Sequence, residues 1–118
     1  MTGPTDHFVL ICATCQGLEA AQHIADALCP ELPAGFAVRT VDCMAGCDHP
    51  VTVGFQAPGK AQYLFGDIGT EQELNALAQF AAQYLGSATG WTKATDRPAP
   101  LITKTLARMP ALAVGGAR

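Results

Sequence analysis

The sequence predicts one α/β domain, and three observations lead to that fold class. The chain has 118 residues, which suits a single domain with a modest core. A hydrophobic fraction of 49% and a charged fraction of 14% are typical of a folded chain and exclude a disordered one. Apolar runs with strand character alternate along the chain with two stretches of helical periodicity.

The first 42 residues predict a strand, a helix and a second strand. Residues 7–13 are a continuous apolar run, as expected for a strand buried on both faces. Residues 18–29 place apolar side chains at helical spacing, and Pro30 and Pro33 end that helix. Residues 36–42 alternate apolar and polar side chains like a second strand. Because a helix connects the two strands, we expect them to be parallel.

The following segment predicts two strands and a helix. Residues 51–56 and 61–66 are apolar runs joined by a Pro-Gly turn. Thr70-Glu71-Gln72-Glu73 is a capping-box pattern that opens the second helix. The apolar face expected for this helix consists of Leu74, Leu77, Ala78, Ala81 and Leu85.

A βαβ unit followed by a ββα unit is the core of the thioredoxin-like fold, which is the fold class predicted for residues 1–86. Residues 87–118 lack strong periodicity and are predicted to form an irregular C-terminal tail with one short helix between its prolines. Residues 1–86 carry nine acidic and two basic side chains, whereas residues 87–118 carry one acidic and five basic ones. We therefore expect the basic tail to pack on the same acidic domain or on a partner.

Composition also restricts the location and the partners. The acidic domain lacks the basic face that nucleic acid binding requires, and no apolar run is long enough to span a membrane. The N-terminus has no basic residue before its short apolar run, unlike a secretory signal. These features predict a cytoplasmic protein, in which cysteines more often serve as ligands or redox groups than as structural disulfides.

Four of the five cysteines form two closely spaced pairs, each at the end of a predicted strand. Cys12 and Cys15 lie between the first strand and the first helix, and Cys43 and Cys47 lie in the loop after the second strand. In a parallel βαβ unit these two loops lie at the same end of the sheet. We therefore expect the two pairs to converge on one site.

Four convergent thiolates allow three kinds of chemistry. Two pairs suit a [2Fe–2S] cluster, because each iron needs two thiolate ligands. A tetrahedral Cys₄ zinc site is an alternative, although zinc ligands usually lie on β-turn knuckles and not at the ends of apolar strands. The third is dithiol–disulfide exchange, with Cys12 as nucleophile and Cys15 as resolving thiol. That chemistry leaves Cys43 and Cys47 without a task, so the cluster is preferred.

Other residues are assigned simpler roles. Cys29 is predicted to be a packing residue, since it lies at the far end of the first helix from the cysteine loops. His7 is expected at the surface, and His49 is expected to be exposed near the site. Phe55, Tyr63 and Phe65 are predicted to lie in the core. The sequence has no carboxylate pair, Ser/His/Asp set or phosphate loop, so we do not expect an enzyme.

The chain also resembles a known family. The segments "CATCQG", "VDCMAGCDHPVTVGFQAPGKAQYLFGD", "FAAQYLGS", "GW", "RPAPL" and "ARMP" resemble the DUF1636 family, whose members are described as predicted metal-binding proteins. This resemblance spans most of residues 8–110. The family in turn resembles thioredoxin-like [2Fe–2S] ferredoxins, which share the CxxxC spacing of Cys43 and Cys47 but separate their first pair more widely than Cys12 and Cys15.

The resemblance implies a low-potential one-electron carrier that forms a homodimer and passes electrons to a redox partner protein. It also implies a role in cobalamin synthesis or cobalt metabolism, because DUF1636 proteins tend to be encoded near genes of that kind. The ligands that it implies for the cluster are Cys12, Cys15, Cys43 and Cys47.

Overall fold

The computed structural model describes residues 6–14, 17–42, 49 and 51–111. Within these residues, five strands and three α-helices follow one another along the chain. The strands are β1 (His7–Cys12), β2 (Phe36–Val41), β3 (Val53–Gln56), β4 (Gln62–Phe65) and β5 (Thr105–Met109). The helices are α1 (Leu18–Leu28), α2 (Glu71–Gly86) and α3 (Ala99–Ile102), with 3₁₀ turns at Cys29–Glu31 and Ala94–Asp96.

The five strands form one mixed sheet in the order β2-β1-β3-β4-β5. Strands β1 and β2 are parallel, and each remaining neighbouring pair is antiparallel. This arrangement confirms the predicted α/β class and the predicted βαβ unit followed by a ββα unit. Strands β1 to β4 therefore have the order and directions expected for a thioredoxin-like core.

The hydrophobic core lies between the helices and one face of the sheet. On β1, Val9 and Ile11 point to this face, together with Phe55 and Val53 opposite them on β3. The other face of β1 is less covered, because Phe8 and Leu10 are only half-buried. The prediction that both faces of this strand are buried therefore holds for one face only. The helical residues buried in the core are Ala21, Ile24, Ala25, Leu28, Ala76, Leu77, Phe80, Ala81, Tyr84 and Leu101.

Aromatic rings fill the centre of this core. The ring of Phe80 lies 4.9 Å from those of Phe55 and Tyr63 and 5.0 Å from that of Phe65, measured between centroids. All three contacts are edge-to-face, the geometry that aromatic quadrupoles favour. Phe55, Tyr63 and Phe65 are at most 3% exposed, so the prediction that they belong to the core is confirmed.

Helix α2 begins with the predicted capping box. The Thr70 hydroxyl accepts a hydrogen bond from the N–H of Glu73, and the Glu73 carboxylate accepts one from the N–H of Thr70. The predicted apolar face is only partly right, because Tyr84 is buried where Leu85 was expected and Leu85 is 37% exposed. No helix of the described segments combines the length and the apolar character needed to cross a bilayer.

The prediction of an irregular C-terminal tail is wrong for residues 105–109. Helix α3 forms between the prolines, as expected, but β5 then pairs antiparallel with β4 and becomes an edge of the sheet. Its register places Ala107 opposite Leu64 and Met109 opposite Gln62. The tail therefore extends the same sheet that carries the predicted site.

Two further predictions about single residues are wrong. His7 was expected at the surface, but it is 8% exposed, with its Nδ1 atom 2.8 Å from Oδ1 of Asp6 and its Nε2 atom 2.8 Å from Nζ of Lys60. Cys29 was expected to pack in the core, but it is exposed at the start of a 3₁₀ turn. In this turn Pro30 directs the chain away from α1, and the Cys29 side chain stays outside the core.

Candidate cysteine site

Cys12 occupies the last position of β1 and is completely buried. The parallel register pairs it with Val41, the last residue of β2, and the N–H of Ala13 donates to the carbonyl of Val41 at 2.7 Å. The Cys12 Sγ atom lies 3.7 Å from the carbonyl oxygen of Asp42. Cys12 is thus in contact with the residue that directly precedes Cys43 in the sequence.

The structure confirms that the ends of β1 and β2 lie side by side, which is the geometric basis of the site prediction. Of the four predicted ligands, Cys12 is the one that lies within the described residues. Cys15, Cys43 and Cys47 lie outside them, so their convergence on Cys12 stays a prediction. Among the described residues, no group of three or more His, Cys, Asp and Glu side chains is arranged to hold a metal ion.

The chain also returns to this end of the sheet after residue 48. The carbonyl of His49 accepts a hydrogen bond from the N–H of Asp67 at 2.9 Å, and the His49 Nδ1 atom lies 2.9 Å from Oδ2 of Asp67. The carbonyl of Val51 accepts from the N–H of Ile68 at 3.1 Å. His49 is exposed, as predicted. Both ends of the segment that carries Cys43 and Cys47 are therefore anchored, one at β2 and the other at the end of β4.

The start of α1 is the third boundary of the site. Gly17 precedes the helix with a φ of 90°, a left-handed conformation that glycine adopts without strain. Gly17 has no side chain with which to cap this helix end. Free N–H groups and the helix dipole at an N-terminus favour negative charge, and Gly17 lies two residues after Cys15. This environment suits a thiolate.

Thr52 is a residue of the site that sequence reasoning missed. Its carbonyl accepts a hydrogen bond from the N–H of Cys12 at 3.1 Å, and its side chain is completely buried. Within the described part of the chain, the Thr52 hydroxyl has no hydrogen-bond partner. The signal available in the sequence was a lone hydroxyl residue between Val51 and Val53 in an otherwise apolar strand.

The four predicted cysteine ligands would suit a metal that prefers sulfur. Soft thiolate ligands select iron–sulfur clusters, zinc or copper(I), whereas magnesium and calcium require oxygen ligands. A buried hydroxyl without a partner beside Cys12 is a hydrogen-bond donor available to a thiolate sulfur. Cys29 does not belong to this site, because it follows Gly17 by twelve positions along α1, which corresponds to roughly 18 Å of helix.

Fold and site together define a small α/β protein with cysteines at the ends of its parallel strand pair. The family model described as "Protein of unknown function (DUF1636)" matches residues 9–111, a range that includes all five cysteines. The chain therefore belongs to the DUF1636 family, as the motifs predicted. No curated protein matches the sequence significantly. The further resemblance to thioredoxin-like ferredoxins is outside what this match covers and stays a prediction.

Proposed function

We propose that this protein binds a [2Fe–2S] cluster through Cys12, Cys15, Cys43 and Cys47 and acts as a one-electron carrier. The observation that carries the proposal is the parallel register of β1 and β2, which brings Cys12 into contact with Asp42, the residue next to Cys43. Two pairs of thiolates at one end of the sheet would supply the two ligands that each iron needs. The bound cluster would supply a reversible one-electron change.

The protein's own contribution would be to hold the ligands and adjust the reduction potential. Complete burial of Cys12 excludes water from its sulfur, and the start of α1 would offer backbone N–H groups to a ligand close to it in the sequence, such as Cys15. Burial and hydrogen bonds to sulfur are two of the factors that set the potential of an iron–sulfur centre.

The partner in this proposal is a basic redox protein. Glu19, Asp42 and Asp67 are exposed side chains that flank the site on α1, after β2 and after β4. Electron-transfer encounters are small and are guided by charge, so an acidic rim favours a positively charged partner. That this partner belongs to cobalamin or cobalt metabolism is proposed from the family resemblance alone.

Dithiol–disulfide exchange is the competing function for the same cysteines. An exchanging thiol must be accessible as a thiolate, whereas Cys12 is completely buried. A Cys₄ zinc site is the second alternative and uses the same four ligands. The experiment that tests the proposal therefore has to separate cluster, zinc and exchange in one series of proteins.

The test compares the wild type with C47S and C29S, all purified without oxygen. We expect the wild type and C29S to be brown with about two irons and two sulfides per chain, because Cys29 is exposed and remote from the site. C47S should be colourless, because one iron would lose a ligand. A colourless wild type that contains zinc would overturn the proposal. A colourless wild type that reduces disulfides, with C47S equally active, would also overturn it.

A further inference from the structure

The buried hydroxyl of Thr52 has no explained role in the fold. A hydroxyl removed from water without a hydrogen-bond partner destabilises a protein. Such groups are uncommon in native structures and each requires a reason. Within the described residues, the Thr52 and Gln83 side chains hold the two buried polar atoms without a partner. Thr52 is the one of these two that neighbours a predicted ligand.

The antiparallel register places Thr52 opposite Cys12. Ile11 pairs with Val53 in the ladder, and the hydrogen bond from the N–H of Cys12 to the carbonyl of Thr52 continues that register by one residue. Residues directly opposite each other on antiparallel strands project to the same face of the sheet, with Cβ atoms about 4.5–5.5 Å apart. The Thr52 and Cys12 side chains therefore project to the same face from opposite positions, although they form no hydrogen bond with each other in this structure.

Metal binding changes the hydrogen-bonding role of the Cys12 sulfur. As a thiol, Cys12 donates toward the carbonyl oxygen of Asp42 at 3.7 Å. Metal binding replaces the thiol proton, so the sulfur becomes an acceptor that carries negative charge in a fully buried position. A buried charge is stabilised by hydrogen bonds, and the Thr52 hydroxyl is a donor that can supply one.

We infer that the Thr52 hydroxyl donates a hydrogen bond to the Cys12 sulfur in the metal-bound protein and thereby raises its reduction potential. The inference rests on the proposed function. A hydrogen bond to a sulfur stabilises the more negative, reduced state more than the oxidised one. Thr52 is a positioning residue in this role, since it acts on the metal through Cys12.

The experiment compares the variants T52V, T52S and T40V with the wild type. T52V removes the hydroxyl with little change of shape, T52S retains it, and T40V makes the same exchange at an exposed position of β2. Each protein is purified without oxygen, its iron and sulfide are counted, and its potential is measured by redox titration. We expect all four to hold the full cluster. T52V should shift the reduction equilibrium about tenfold toward the oxidised state, which is 59 mV for one electron. T52S and T40V should match the wild type.

A second measurement on the metal-free proteins separates this role from a structural one. Without metal the Thr52 hydroxyl has no partner among the described residues, so T52V should unfold at the same or a higher urea concentration than the wild type. A fully loaded T52V protein with an unchanged potential would overturn the role of Thr52 but leave the proposed function intact. The role would also be overturned if metal-free T52V lost as much free energy of unfolding as its shift in reduction potential corresponds to. A wild type without any cluster would overturn both.

Discussion

Glu73 connects three parts of the chain through a single carboxylate. Its Oε1 atom accepts hydrogen bonds from the N–H groups of Gly69 at 2.7 Å and Thr70 at 2.8 Å, and its Oε2 atom lies 2.8 Å from Nζ of Lys104. Burial alone would raise the pKa of Glu73, but the hydrogen bonds and the Lys104 charge outweigh it and lower the pKa to about 2. The charged form therefore stabilises the folded state.

E73Q should destabilise the protein by about 2 kcal/mol at pH 7. Because the pKa of Glu73 is lower in the folded than in the unfolded state, its stabilisation is fully present above about pH 4.5 and is lost as the pH falls toward 2. Urea unfolding at pH 7, 5 and 3 measures the difference between E73Q and the wild type, which should shrink at pH 3. E71Q, at an exposed position of the same helical turn, is the control. A difference that is equal at all three pH values would contradict this account.

Single residues were predicted best where residue type alone determines burial. Phe55 and Tyr63 are aromatic residues on strands that pack against helices, and side chains of this type are mostly buried there. The capping box of Thr70 depends on local spacing only. His7 and Thr52 could not be predicted in this way. His7 is buried because Lys60, 53 positions away, supplies a partner, and such pairs follow from the tertiary fold alone.

At the scale of elements, Gly66 is the point where β4 closely approaches His49 and Leu106, next to the segment that carries Cys43 and Cys47. A Cβ atom at this position would lie 2.7 Å from Cβ of His49, 2.7 Å from Cδ1 of Leu106 and 3.2 Å from the carbonyl oxygen of His49. The neighbouring Asp67 N–H bonds to that same carbonyl. The absence of a side chain at Gly66 therefore allows β4, β5 and the segment leading out of the cysteine loop to meet.

G66A should displace His49 and loosen one anchor of the cysteine loop. Overpacking of this kind destabilises by about 1–3 kcal/mol, and we expect a lower iron content per chain along with a lower unfolding midpoint. G69A is the matched control, because a Cβ atom there would have open space and no positive φ is involved. Iron analysis and urea unfolding measure the two effects. Equal behaviour of G66A and G69A would show that the close approach at Gly66 has no influence on the site.

The buried face of α2 and the strand β5 were not predicted correctly, for physical reasons. Helix α2 carries apolar residues on most of its circumference, so its period indicated a helix but did not determine which face is buried. Tyr84 took the place expected for Leu85 because its hydroxyl donates to the carbonyl of Ala61 at 2.6 Å. Strand β5 has four exposed residues out of five. β5 forms because the edge of β4 is available for pairing. The local sequence pattern of β5 does not indicate this pairing.

At the scale of the whole molecule, charge separates along the chain. Residues 1–86, which carry every predicted ligand, have nine acidic and two basic side chains. The basic side chains of the C-terminal segment are used partly within the fold: Lys104 pairs with Glu73, and Arg97 donates to Thr105 and to Thr92. Part of the basic charge of this segment is therefore held in contacts within the domain.

The proposed carrier should reduce a small basic haem protein faster at low ionic strength than at high ionic strength. Steering between opposite charges raises association rates by about 10-fold or more and is screened by salt. Stopped-flow rates between about 10 and 300 mM salt measure this dependence. An acidic acceptor of similar potential serves as the control and should show no acceleration at low salt. Equal rates with both acceptors would contradict charge guidance.

The sequence predicted where β1 and β2 end relative to each other, but it did not predict which side chain lies opposite Cys12. The positions of Cys12 and of the loop after β2 follow from strand, helix and strand in order, because parallel neighbours end at the same edge. The hydroxyl of Thr52 comes from an antiparallel strand that enters the sheet later in the chain. Its register with Cys12 depends on the whole sheet, so spacing in the sequence did not reveal it.

The order of the elements has a consequence for synthesis on the ribosome. All four proposed ligands, Thr52 and the three strands that position them lie within the first 56 residues, whereas β5 ends at residue 109. Chains fold from the N-terminus as they emerge, so the ligand-bearing half leaves the ribosome well before the partner of β4. During that interval the edge of β4 is unpaired, and it is the part of the nascent protein most open to wrong strand pairing.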